Sequence, residues 1–131
     1  MSEPLRVTLG WPPSVNHLWR NLGDGRVVLS AGGKRWRRVN RPLVVAAMLA
    51  QGARTLTGPV ALGIGLHAPD DGRRRDISNS VKALEDLLVH AGALVDDCQV
   101  EVLRVTRRQP SKPGIAVLWL RAATPEDYAD E

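Results

Sequence analysis

A single cysteine, Cys98, occurs in the whole sequence, so no internal disulfide and no zinc site built from paired thiolates can form. That scarcity agrees with a reducing compartment, and Cys98 itself reads as a small core filler. No apolar run approaches the roughly 18 residues of a membrane helix, so no membrane partner is expected. The opening segment MSEPLRVTLG has an acid and a proline where a secretory leader carries basic and then apolar residues, and a cytoplasmic protein is expected. Neither an internal repeat nor a linker-like stretch divides the chain. Its 131 residues suffice for one modest core, so a single domain over 1–131 is expected, with its body at about 5–121 and a frayed acidic tail at 122–131.

Acidic residues are scarce in the first part of the chain. Residues 1–75 hold 4 Asp/Glu against 12 Lys/Arg, whereas residues 76–131 hold 10 against 6. A cationic half suits a polyanion bound by phosphate neutralisation, and an acidic half suits either cation binding or solubility.

Residues 5–10 alternate apolar and polar before Trp11-Pro12-Pro13, which predicts a strand ending in a loop. Residues 26–29 follow the turn signal Asp24-Gly25 and predict a short hairpin arm, with Ser30 capping the next helix. From Lys34 to Gln51 helical spacing puts Trp36, Val39, Leu43, Ala47 and Ala50 on one face, with Pro42 as the point of a kink or restart. A strand is expected over 59–68. A second helix is expected from about Asn79 to Ala91, capped by Ser78 or Asn79, burying Val81, Leu84, Leu87, Leu88 and Ala91 and closing at Gly92. Residues 99–107 and 114–120 read as an antiparallel pair around the turn QPSKPG. The implied class is α+β: one mixed sheet covered by two main helices, in the order β, β-arm, α, β, α, β, β.

At 100° per residue, Ser78, Asn79, Lys82 and Asp86 fall on the side of the second helix away from Val81, Leu84 and Leu88. Asp76 precedes that helix, and Asp96 and Asp97 follow it after a short apolar segment. If the acids converge, two or three carboxylates face the phosphate-binding run Arg73, Arg74, Arg75. Hydrolysis of a phosphodiester needs that combination: hard oxygen ligands for Mg²⁺, and a lysine to stabilise developing negative charge. The competing interpretation is a set of solvated loop charges with Lys82 an ordinary surface lysine.

The segment RRRDISNSVKALEDLLVHAGALVDDCQV, residues 73–100, closely resembles the signature of RusA-type Holliday-junction resolvases: an Arg-rich turn, RDxDN, a helical lysine and DDxQV. The opening LGWPPSVNHLWR is similar to the PPSxN start of that family, and the likeness covers roughly residues 5–121. The resemblance implies a homodimeric, Mg²⁺-dependent endonuclease, with Mn²⁺ as a substitute ion, that cuts four-way DNA junctions by paired symmetric nicks in recombination and repair. By position it implies Asp76, Lys82 and Asp97 as catalytic, Asp76, Asp97 and Asp96 as metal ligands, and Asn16 among the DNA-binding residues. One departure stands out, because Ser78 occupies the second aspartate of RDxDN. A hydroxyl is a weaker ligand than a carboxylate, and Asp86 or Glu85 is a candidate to compensate.

A four-way junction has approximate two-fold symmetry, which a symmetric dimer matches. Arg35, Arg37, Arg38 and Arg41 on the first helix join Arg73, Arg74 and Arg75 as candidate phosphate contacts, with a solubilising basic face as the alternative. Trp19 and Trp36 are candidates to wedge at the branch point, although burial in the core or a dimer interface is the expected fate of each. A second class of function is a catalytically silent branched-DNA-binding protein whose metal site Ser78 has weakened. A structural RNA-binding protein is a third, opposed by the repulsion between the Asp96 cluster and any phosphate backbone.

Overall fold

The computed structural model describes residues 3–129. Strand β1 (Leu5–Gly10) leads through a short helix α1 (Val15–Leu18) into a two-stranded arm, β2 (Trp19–Asn21) and β3 (Val27–Leu29). Then come helix α2 (Ala31–Gln51), β4 (Val60–His67), α3 (Val81–His90), β5 (Val100–Arg107) and β6 (Ile115–Ala122). The main sheet runs β1-β6-β4-β5, with β4 and β5 parallel and the other pairings antiparallel. The α+β class with a mixed sheet and two main helices is therefore as expected. The arm is longer than residues 26–29 alone, because Trp19–Asn21 supplies its partner strand.

The expected β5–β6 hairpin does not form. Strand β4 lies between those two strands, pairing with β5 on one side and β6 on the other. The reason lies in composition: β4 is almost wholly apolar or glycine and buried along most of its length, so it takes the interior of the sheet. Strand β5, with Glu101, Arg104 and Arg107, tolerates the solvated edge. The parallel β4–β5 pair then needs a crossover, which α3 provides.

Both helices cover one face of the sheet. Leu5, Val7 and Leu9 of β1, Leu62, Ile64 and Leu66 of β4, and Leu118 and Leu120 of β6 meet Val44 of α2 and Leu84, Leu87 and Leu88 of α3 in one cluster. Helix α2 begins as expected: the Ser30 hydroxyl accepts from the Gly33 amide at 3.0 Å. It does not restart at Pro42, but runs on to Gly52, whose φ of +66° ends it. Its buried stripe is rotated from the expected one. Gly33, Asn40 and Val44 are buried, whereas Val39 and Leu43 are 62% and 44% exposed and Ala50 is exposed too. Asn40 explains the rotation, because it is a polar core residue whose bonds are made. Its Oδ1 accepts from the Gly10 amide (2.8 Å) and its Nδ2 donates to the Trp36 carbonyl (2.9 Å), while Trp36 Nε1 donates to the Gly10 carbonyl (3.1 Å).

Three further expectations are corrected. The lead into α3 is a 3₁₀ turn, Ile77–Ser80, and neither Ser78 nor Asn79 caps the helix with its side chain. Cys98 is exposed rather than core, because Gln99 is the residue that anchors its turn: Gln99 Oε1 accepts from the Val95 and Asp96 amides and its Nε2 donates to the Leu56 and Gly58 carbonyls. The tail is ordered through a 3₁₀ turn, Pro125–Tyr128, since Asp127 accepts two bonds from Arg121 (2.6 and 2.7 Å) and Tyr128 donates to Glu101 (2.6 Å). Of that tail, 130–131 lie outside the described residues.

Candidate active site

Helix α3 and the turn after it bring three side chains together. Lys82 and Asp86 are one helical turn apart, as their spacing dictates, and Lys82 Nζ stands 3.2 Å from Asp86 Oδ1. After Gly92 (φ +87°) reverses the chain, the 3₁₀ turn Asp97–Gln99 returns Asp97 to the same lysine, with Asp97 Oδ2 2.6 Å from Lys82 Nζ. Asp96 caps this turn through the Cys98 amide (2.9 Å), and that bond holds its carboxyl below its ordinary pKa. Hydrogen bonding to Asp97 raises the Lys82 ammonium above its usual value, so it stays charged at neutral pH.

Asp86 is the unusual member. Its Oδ2 is buried and has no hydrogen-bond partner, a costly state for a carboxylate oxygen beside a second carboxylate. Next to it, burial pushes the Glu85 carboxyl up, and the charge of Asp97 adds to the shift. Asp86, Asp96 and Asp97 line one depression of about 350 Å³ with Trp19, Arg37 and His90.

A second depression, of about 440 Å³, holds the Arg-rich turn. Arg73, Arg74, Arg75 and Asp76 line it, joined by Asn16 and by Ser80. The three arginines are not equivalent. Arg75 is engaged by Asp71 through two bonds (3.0 and 2.7 Å) and lies 6.0 Å from the Trp11 ring centroid, and its carbonyl accepts from Arg107 (2.9 Å). Arg73 and Arg74 form no salt bridge among the described residues, which leaves them the freer phosphate ligands.

The sequence-predicted residues thus fall into two groups. Lys82, Asp86, Asp96 and Asp97 form one, and Arg73, Arg74, Arg75, Asp76 and Asn16 the other, with Asp76 lining a different depression from Asp97. Ser78 is exposed in the turn between them. No group of three or more metal-ligating side chains stands together among the described residues. Two carboxylates that share Lys82, one with an unpartnered buried oxygen, are hard donors of the kind a small divalent cation takes, so the donor set fits such an ion. On α2, Arg37 reaches the acidic depression and, with Arg38, Arg41 and Lys34, lines an adjoining groove of about 390 Å³; Arg35 lines neither. Trp36 packs against the core, whereas Trp19 remains 37% exposed beside the acids.

Ser80 and Gln99 were missed as site residues. Ser80 is 4% exposed, and its offsets of four and seven to Leu84 and Leu87 are the signal that places it on the buried side. For Gln99 the signal is the spacing Asp-x-x-Gln, a capping box.

The profile of the family described as Endodeoxyribonuclease RusA matches residues 10–118. Proteins named crossover junction endodeoxyribonuclease RusA from Shigella sonnei (strain Ss046) and Escherichia coli (strain K12) are each 41% identical over 108 residues, which is 82% of this chain and 86% of theirs. One of that name from Enterobacteria phage 82 is 40% identical over the same length. Since the likeness runs from the end of β1 into β6 and spans both helices and both depressions, the chain belongs to the RusA endodeoxyribonuclease family.

Proposed function

We propose that the protein is a divalent-metal-dependent endodeoxyribonuclease that resolves four-way DNA junctions by paired symmetric nicks in recombination and repair, acting as a homodimer with Mg²⁺, for which Mn²⁺ substitutes. The observation that carries this reading is Lys82 held between Asp97 and Asp86, with one oxygen of Asp86 buried and unpartnered. Asp97 and Asp86, with Asp96 beside them, are the proposed holders of the ion; Asp76 is proposed as a further ligand, adjoining the DNA at the arginine turn. When bound, such an ion supplies charge stabilisation at a phosphodiester oxygen.

The remaining work belongs to side chains of this chain. Lys82, kept protonated by Asp97, donates a hydrogen bond to the negative charge that develops on the phosphate as a water oxygen adds to phosphorus and the bond to the leaving oxygen breaks. Arg73 and Arg74 position the backbone without reading bases, and Asn16 lines the same depression. Arg75 acts through Asp71 and Trp11 to hold the turn in shape. Arg37 and Arg38 extend the cationic surface along α2 toward a second arm of the junction, with Arg35 on the same helix. No helix among the described residues is long and apolar enough to cross a membrane, and a cytoplasmic site of action is part of this proposal.

A silent branched-DNA-binding protein is the second reading. It is favoured by Ser78 in place of a carboxylate and by the separation of Asp76 and Asp97 into two depressions. The two are separated by incubating purified protein with a labelled synthetic four-way junction and with linear duplex, with and without Mg²⁺ or Mn²⁺. Symmetric nicks near the crossover, dependent on the ion and absent from the duplex, support the nuclease. Salt-sensitive binding with no cleavage under any ion supports the silent binder instead.

A further inference from the structure

The sheet face turned away from α2 and α3 carries chemistry of its own. In one row across all four strands, Arg6 of β1 stands opposite Trp119 of β6, Trp119 opposite Gly63 of β4, and Gly63 opposite Arg104 of β5. A Cβ on Gly63 would stand 1.9 Å from Trp119 Cε2, so the indole lies flat on the strand and only glycine admits it. Arg121, fixed by Asp127, stands over the ring with its guanidinium carbon 5.3 Å from the centroid, while the part of the indole beyond it lines an open groove. One row further along, Arg108 lies across Gly65, its Nε 3.4 Å from where a Cβ would be. Trp119, Arg6, Arg104 and Arg108 line a groove of about 590 Å³ that has no carboxylate in its wall and shares no residue with the acidic or arginine-turn depressions. None of these three arginines is in a salt bridge among the described residues.

We infer that this open sheet face binds single-stranded DNA, with a base against the part of the Trp119 indole that lines the groove and phosphates on Arg6, Arg104 and Arg108. Successive strands stand about 4.8 Å apart, so the Cα atoms of Arg6 and Arg104 are about 14 Å apart on either side of the ring, a span that follows a strand's backbone rather than one small anion. A flat aromatic flanked by unpaired cations is the pairing that single-strand binders use, because every unpaired base offers a π face while a paired one does not. A second copy of the chain is the poorer occupant, since a two-fold contact through this face sets unpaired arginines against one another with no acid to offset them. This extends the proposed nuclease to DNA held away from the cutting site and does not depend on cleavage.

The test is fluorescence anisotropy of the full chain with a labelled short oligothymidylate in EDTA, with circular dichroism confirming that each variant folds. Trp119→Leu is expected to weaken binding about tenfold. An oligonucleotide carrying abasic sites should lose a similar factor with the unsubstituted protein and nothing further with Trp119→Leu. The surface double variant Arg6→Gln/Arg104→Gln should weaken binding and flatten its salt dependence, and it keeps the test decisive if the tryptophan variant misfolds. Unchanged binding in the arginine variant, a loss of duplex binding in Trp119→Leu as large as the loss of oligothymidylate binding, or tighter binding of oligouridylate would each overturn the inference. So would sedimentation showing that the arginine substitutions alter self-association instead of DNA binding. If the oligonucleotide binds as described while a junction is never cut, the nuclease proposal fails and this one stands.

Discussion

Replacing Asp86 by asparagine separates the two roles its carboxylate can have. Without a divalent ion the substitution removes an i,i+4 contact at 3.2 Å to a lysine that is 40% exposed, worth about 0.5 kcal/mol after solvent screening. It also removes a charge whose second oxygen has no partner, a change that works in the opposite direction. Stability in EDTA should therefore change by less than about 1 kcal/mol, or about 4 °C in Tm for a chain of this size. With the ion the two proteins diverge. An ion at a hundred times its Kd stabilises the native state by about 2.7 kcal/mol, which raises Tm by roughly 10 °C. If Asp86 is a ligand and its loss weakens binding about a hundredfold, the same concentration leaves about 0.4 kcal/mol, below about 2 °C. The assay is thermal unfolding across a Mg²⁺ and a Mn²⁺ titration, with Ca²⁺ as a third hard ion. An identical ion-dependent rise in both proteins refutes the assignment of Asp86.

Ser78→Asp places a carboxylate in the turn before α3, and single-turnover cleavage of a junction at low Mg²⁺ is expected to be equal or faster; a clear loss means that the turn does not adjoin the ion. Glu85→Gln should raise Tm at neutral pH in EDTA. The folded Glu85 holds its proton to higher pH than the unfolded chain does, so stability falls as pH rises from about 4.3 through the folded value, and the benefit of glutamine should vanish below that range. A benefit that persists at about pH 3.5 contradicts the cause given. Asn40→Ala leaves the Gly10 amide without its side-chain acceptor and opens a cavity beneath α2, so denaturant titration should show a loss of about 2–4 kcal/mol, whereas a loss under 1 kcal/mol shows that the link between β1 and α2 is replaceable.

The features legible in the sequence follow from short-range periodicity. The spacing of Lys82 and Asp86 puts them on one face of a helix whatever surrounds it, and the leucines of α3 go to the core by the same rule. The Ser30 cap and the closing Gly92 are equally local. Strand neighbours are not local. Residues 108–114 look like a hairpin turn, and only the competition among β4, β5 and β6 for the interior of the sheet shows that β6 must pass β4 before pairing. Apolar spacing misplaces the buried face of α2, because it counts Val39 and Leu43 and cannot count Asn40, whose burial is made favourable by its partner on β1. At the candidate site, the return of Asp97 to Lys82 depends on the turn that Gln99 anchors. The division of the acids between two depressions is a three-dimensional fact with no trace in spacing.

The most direct measurement is single-turnover cleavage of a labelled four-way junction by Asp97→Asn, with binding followed in the same samples. Asp97 makes the shortest contact to Lys82, and no phosphate contact is assigned to it. Cutting in Mg²⁺ should fall by at least about a hundredfold while junction affinity in EDTA is unchanged. Cleavage at the unsubstituted rate would mean that the cluster of Lys82, Asp86 and Asp97 is not where the phosphodiester is hydrolysed.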